Sequence, residues 1–356
     1  MAFITLNKKG LQHNFKMLDA FFKEHGIHWS AVTKILCGHE AYLELLMELE
    51  MSHFSDSRIS NLKTIKFLNP DAKTIYIKPP AKGVISEVVR YADISLNSDI
   101  YTLKLLSKEA SEQNTMHKVI IMIDLGELRE GVMRDDFLAF YEEVFKLGNI
   151  EVVGLGTNLS CLYGILPNSD KLIQLSLYKQ LAEEKFNKEI PFISGGSSVT
   201  ISLLENKLLP KGINHFRIGE TLFMGTNAYY HRNYESLKQN LFLLYAEIIE
   251  LYEKPVVPSG ELGTNLEGKS FTFNDDHIGK TSNRALIDIG LLDVDVKHLV
   301  PADTGIAIAG ATSDMIVLDL GSNDKGYGVG SLIELKLDYM GIVRIMNSKY
   351  IDKRIV

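Results

Sequence analysis

The chain has 356 residues, 46% of them hydrophobic, and 38 Lys and Arg against 45 Asp and Glu give it a net charge of −7. That is enough apolar material for one large domain or two, and the absence of a basic block or an aromatic-studded basic stripe argues against nucleic acid or an anionic membrane as partner. Two cysteines, Cys37 and Cys161, without a CxxC pair or metal-like Cys/His spacing leave no metal site to propose. The segment "MAFITLNKKG" has no apolar signal core and no apolar run approaches a membrane span, so a cytoplasmic protein with reduced thiols and a small-molecule role is expected.

In chain order, the first β-rich run is "HWSAVTK", which ends on Lys34 just before Cys37, Gly38 and His39. A lysine there either snorkels its ammonium to the surface or uses its amine chemically, as a base or a Schiff-base former. Seven more runs follow: "HFSDSR", "TIYIKPP", "DISLNS", "KVIIMIDLG", "EVVGLGTNL", "IPFISGG" and "NHFRIGE". Between them, segments such as "DIYTLKLLSKEASEQ" and "DDFLAFYEEVFKLG" carry apolar residues at helical spacing. Eight strand–helix units predict a TIM-type (β/α)8 barrel over residues 10–232. A doubly wound open sheet competes, but no GxGxxG turn follows the first strand. Past residue 235, "RALIDIG", "GIAIAGATSDMIVLDL" and "GSLIELKLDY" alternate with Gly, Asn, Asp and Pro turns, which predicts a β-rich domain over 233–356 that residues 1–9 are candidates to join.

In such a barrel the polar residues at the C-terminal strand ends line the active site, and these are Lys34, Arg58, Asn97, Arg129, Asn158, Ser197, Ser198 and Arg217. Arg58 in "DSR" and Arg129 in "ELREG" each have a neighbouring carboxylate that could instead satisfy them. "ISGGSSVT" and "RIGETLFMG" put small residues after the last two strands, where backbone N–H groups and hydroxyls can converge on a phosphate. A lysine at the end of strand one and two anion-binding turns suit one cofactor, pyridoxal 5′-phosphate (PLP), whose aldehyde reacts with an amine.

The segments "AVTKILCGHE", "DSRISNL", "IDLGELREG", "GLGTNLSC", "ISGGSSVT", "FRIGE", "AEIIELYEKPVVPSGE", "GATSD" and "LDYMGIVRIM" resemble the alanine racemase family of PLP enzymes, and its ornithine/lysine racemase-like branch in particular. The resemblance implies a PLP-binding barrel with a C-terminal β-domain that completes the barrel mouth of a partner in a head-to-tail homodimer. It casts Lys34 as the lysine that carries the cofactor. Ser198, the backbone of Gly219 and Glu220, and Tyr339 resemble the phosphate cradle, with Ser197 beside it. Arg217 resembles the arginine facing the pyridine nitrogen, Arg129 the arginine near the cofactor phenolate and substrate carboxylate, and Asn158 a residue beside the ring. Ser313 and Asp314 fall at the family's substrate-carboxylate segment.

Three departures stand out. Cys37 occupies the stretch where the family usually has a tyrosine, Met122 replaces a lysine that is often carbamylated, and "LGTNLEGKSF" has no tyrosine where the family's second acid/base belongs. The expectation is racemisation of a basic amino acid, ornithine or lysine, whose distal ammonium has Glu267, Asp293, Asp295 and Asp314 as candidate partners. Alanine or serine racemisation, or cofactor binding without turnover, are the alternatives. Arg217 argues against a decarboxylase, which would present a carboxylate to the pyridine nitrogen, and the lack of a Cys/His cluster against a metal-dependent aldolase or dehydratase.

Overall fold

The computed structural model describes residues 2–265, 268 and 270–356, and the chain divides into two units, Lys8–Gln239 and Met1–Asn7 with Asn240–Val356. The division falls at 239/240 instead of 232/233 because the segment after the last barrel helix is tied back to the first one. Asn14 Nδ2 donates to Lys238 O at 2.9 Å and Lys238 N donates to Asn14 Oδ1 at 2.7 Å. At the other end, strand β1 (Phe3–Leu6) belongs to the second unit, pairing with Phe242–Pro255 and Asp352–Ile355.

The first unit is a near-closed barrel. Its strands are β2 (His28–Val32), β3 (His53–Asp56), β4 (Lys73–Tyr76), β5 (Ile94–Asn97), β6 (His117–Met122), β7 (Ile150–Gly156), β8 (Phe192–Ser194), β9 (Gly196–Ser197) and β10 (His215–Ile218). They run parallel in the order β8-β7-β6-β5-β4-β3-β2-β10-β9. β8 and β9 are consecutive pieces of one segment, the first pairing with β7 and the second with β10, so Gly195 between them turns the ring shut. All eight runs expected as strands form, and their near-continuous apolar character suits strands covered on both faces.

Helices cover the outside. The first, Lys8–Glu24, buries Leu11, Phe15, Leu18 and Phe22 at spacings of one helical stripe. Truncating the fully buried Phe22 to Ala would cost about 3–5 kcal/mol. Side-chain caps start others: Asp99 accepts from Thr102 N at 2.8 Å and Asn168 from Lys171 N at 2.9 Å. Inside the barrel, Ile75, Leu96, Ile120, Met122 and Val153 pack as an apolar layer. The glycines of β7 make room for it, since a Cβ on Gly156 would lie 2.9 Å from Met122 Sδ.

The second unit is a mainly antiparallel β domain. Its longest strand, Phe242–Pro255, pairs antiparallel with β1, Thr281–Ile287 and Leu332–Leu337. A register shift between Ile248 and Glu250 lets one strand serve neighbours along both its halves. Among the described residues no helix is long and apolar enough to cross a membrane.

Candidate active site

Lys34 sits one turn beyond β2. The run Trp29–Val32 is buried, then Thr33–Leu36 forms a 3-10 turn that Cys37 closes in the left-handed region, its N–H donating to Lys34 O at 3.2 Å. The turn leaves Lys34 half-buried at the C-terminal mouth of the barrel. Beside it lies Asp56, the fully buried last residue of β3, which sequence reasoning passed over. Its carboxyl accepts from Thr33 Oγ1 at 2.8 Å, Asn61 Nδ2 at 3.1 Å and Arg58 N at 2.8 Å. Burial pushes its pKa above the ordinary value, against these donors and the nearby Lys34 charge. Arg58 therefore meets Asp56 through its backbone, and its exposed side chain makes no ion pair there. Tyr76, the buried end of β4, is a further polar residue at this mouth that the sequence did not single out.

Arg217 is buried in β10 and anchors a chain of side chains across the barrel. Its Nη1 donates to Ser194 O at 3.1 Å and to Ser194 Oγ; its Nη2 donates to Thr157 O at 2.8 Å and to Asn158 Oδ1 at 2.7 Å. Asn158 Nδ2 in turn donates to Glu130, and Glu130 holds Arg129 through both Nε and Nη2. Among the described residues no carboxylate hydrogen-bonds to Arg217 itself. Burial pulls its pKa down to about 10, leaving it charged at neutral pH. Arg129 is thus paired with its sequence neighbour, as "ELREG" allowed, and the same pair reaches Asn158. Glycine is required next to it: Gly131 has φ +148, and a Cβ there would overlap the Asp124 backbone.

On the other side of β10 the small-residue turns meet. Ser197 and Thr200 form a reciprocal capping box, and Ser198 Oγ accepts from Thr221 N at 3.2 Å. Gly219 precedes the short helix Glu220–Met224 and backs onto β2, where a Cβ would lie 3.1 Å from Val32 Cβ. Since β10 pairs with both β9 and β2, Ser197, Ser198, Gly219 and Glu220 are brought beside the strand that ends at Lys34. Two serine hydroxyls, the Gly219–Glu220 backbone, a guanidinium with no carboxylate hydrogen-bonded to it among the described residues and a lysine amine, all on or after neighbouring strands, are groups that fit PLP.

Glu127 is a further residue the sequence did not flag. Its buried carboxylate accepts from Ser160 N at 3.1 Å, Cys161 N at 2.8 Å, Tyr163 N at 2.9 Å and Ile165 N at 3.0 Å, and also from Leu162 N. Burial alone would raise its pKa, but the converging N–H groups outweigh that and hold it at about 2. This fixes the loop that follows Asn158.

Asn97 is fully buried at the end of β5, bonded to Ser95, and Met122 belongs to the apolar layer. In the second unit, Ser313 Oγ donates to Asp314 at 2.6 Å in the turn after Ala307–Ala311, and Tyr339 opens the helix Tyr339–Asn347 behind its cap Asp338. Asp293 accepts from Ser348 Oγ at 2.8 Å and Asp295 pairs with Lys297 at 2.7 Å, so both are engaged locally. Glu267 lies outside the described residues. No cluster of His, Cys, Asp and Glu among the described residues could hold a metal ion.

The chain is similar to known proteins along nearly its whole length. The family profile "Alanine racemase, N-terminal domain" matches residues 6–227. The ornithine racemase of Acetoanaerobium sticklandii is 35% identical over 354 residues, 99% of each chain, and the lysine racemase of Thermotoga maritima is 32% identical over 351 residues, 98% of this chain and 97% of its own. The crystal structure of an alanine racemase from Bartonella henselae with covalently bound pyridoxal phosphate superposes with a TM-score of 0.71 at 16% identity, covering 100% of this chain and 99% of that one.

Proposed function

The chain belongs to the alanine racemase family, and from that premise we propose that it interconverts the L and D forms of a basic amino acid, ornithine or lysine, with PLP carried on Lys34. The observation that carries the reading is the grouping of Lys34, the Ser197–Ser198 and Gly219–Glu220 turns and Arg217 around adjacent strands. When bound, PLP supplies the electron sink that makes the substrate Cα–H acidic. Lys34 would remove and return the Cα proton on one face as general base and acid, a task lysine suits because desolvation lowers its pKa readily. Ser198 and the backbone of Gly219 and Glu220 hold the phosphate, with Ser197 and Tyr339 completing the cradle. Arg217 would face the pyridine nitrogen and, with a pKa of about 10, would keep its protons and not transfer one to the ring. An arginine in that place would leave PLP a weaker electron sink, which would favour racemisation over transamination. Asn158 steadies Arg217 beside the ring. Arg129, held by Glu130, draws the substrate carboxylate, joined by Ser313 and Asp314 from the second unit of a partner copy in a homodimer.

The basic side chain is supported by the two relatives, an ornithine and a lysine racemase. Incubation of each enantiomer in deuterated solvent tests the proposal. Ornithine or lysine should exchange the α-proton and drift to an equal mixture. Borohydride reduction should leave the pyridoxyl group on Lys34. Good turnover of alanine with none of ornithine or lysine would overturn the substrate, and no exchange at Cα would overturn the reaction.

A further inference from the structure

At the end of the barrel opposite Lys34, the first residues of the strands line a second cavity of about 520 Å³. His28 opens β2, His53 β3, Lys73 β4, His117 β6 and His215 β10. Ile75, Ile120 and Phe192 form an apolar floor that is part of the layer inside the barrel, so this cavity is distinct from the mouth that bears Lys34. Its size is that of a small-molecule site.

Charge on its wall does not balance. The carboxylate that lines it, Asp93, is already taken by Lys66 Nζ at 2.8 Å and by Thr74 N and Oγ1 at 2.8 and 2.9 Å. Lys118 has Glu151 only at 3.9 Å, and among the described residues Lys73 and Arg90 have no carboxylate partner. Two buried imidazoles add direction to this excess. His117 Nε2 meets Ser95 Oγ at 2.8 Å, and that hydroxyl also accepts from Asn97 Nδ2, so Nδ1 is the ring nitrogen left for another partner. His215 Nδ1 meets Ser194 Oγ at 2.6 Å, and that hydroxyl also accepts from Arg217, so Nε2 is the ring nitrogen left for another partner. Both rings line the cavity, each with one nitrogen on a serine and the other without a hydrogen-bonded protein partner among the described residues.

We propose that this cavity binds a phosphate ester of nucleoside monophosphate type: the phosphate is met by Lys73 and Arg90 at the rim, and the planar body lies on Ile75, Ile120 and Phe192 with its acceptor atoms on the His117 and His215 N–H groups. Calorimetry on the PLP-loaded full chain, in which the cofactor's own phosphate cradle is filled, tests it with adenosine 5′-monophosphate, adenosine and inorganic phosphate as separate probes. The nucleotide should bind once per chain, and adenosine and phosphate each at least about tenfold more weakly. Lys73→Ala and Arg90→Ala, both at exposed positions that leave the fold intact, should each weaken the nucleotide roughly tenfold, as loss of a charge-assisted contact predicts. Ser198→Ala should leave it unchanged. No nucleotide binding, undiminished wild-type affinity in both rim variants, phosphate binding as tightly as the nucleotide, or a loss in Ser198→Ala alone would each overturn the assignment.

Discussion

Arg217 and Lys73 stand at opposite ends of the barrel's parallel strands, and the protein answers their charges in opposite ways. Arg217 spends its donors on Ser194, Thr157 and Asn158, and through Asn158 it is tied to Glu130 and Arg129. Each group there is held by another group of the chain, so little has to reorganise when a substrate arrives, the condition under which fixed dipoles and charges do most for a reaction. Among the described residues Lys73 has no such partner, and His117 and His215, which line the same cavity, each have only one nitrogen engaged, by a serine. A closed network suits chemistry, and an open one suits reversible binding.

The comparison breaks most simply at Lys34. Lys34→Ala should cut α-proton exchange of both enantiomers by about 10³-fold or more, the scale of losing a positioned base. If exchange persists in one direction, the proton at that face is handled by another group, and the closed network is not built around Lys34.

Arg217→Ala probes the network's own energetics. It strands the acceptors Ser194 O, Thr157 O and Asn158 Oδ1 in a buried site while removing the cost of burying a charge. A net loss of about 2–4 kcal/mol in urea unfolding is expected. A neutral result would mean that the guanidinium is retained for the cofactor alone.

Much of this was legible in the chain and some was not, for identifiable reasons. The eight strands and the Lys34 turn are local: an apolar run covered on both faces followed by Gly, Ser or Lys carries its own signal. The Arg129–Glu130 pair is local too. Arg217 and Asn158 are 59 residues apart, and Glu127 meets a loop more than 30 residues downstream, so no spacing rule announces either contact. Asp56 was visible in "DSR" only as a partner for Arg58, and which of its atoms meets backbone and which meets Thr33 is decided by strand pairing. The boundary at 239/240 depended on Asn14, an uncharged residue in the first helix whose amide bridges more than 220 residues.

Glu127→Gln is the next smaller test. An amide cannot accept five N–H groups as a carboxylate does, and the loop after Asn158 should loosen at a cost of about 1–3 kcal/mol at neutral pH. Because the folded carboxyl is held at about 2, below its ordinary 4.5, its stabilisation is fully present above that ordinary value and is lost as pH falls toward 2. The gap between the wild-type and variant unfolding midpoints should therefore close across that window. A gap that stays constant would show that the loop is held by packing and not by charge.

The smallest effect is expected at Gly219. A methyl group there would sit 3.1 Å from Val32 Cβ, close enough that the end of β2 must give by a few tenths of an ångström, whereas at Gly196 the same methyl would overlap the Phe216 ring. The backbone at Gly219 is in a region open to alanine, so the strain is one of contact only. Such overpacking costs about 1 kcal/mol at the low end of its range. It falls on the strand end that carries Lys34, so Gly219→Ala should weaken retention of PLP about fivefold on dialysis and leave nucleotide binding at the other mouth untouched. If both sites weaken together, the apolar layer between them transmits strain, and the two ends are not the independent devices that their charge patterns describe.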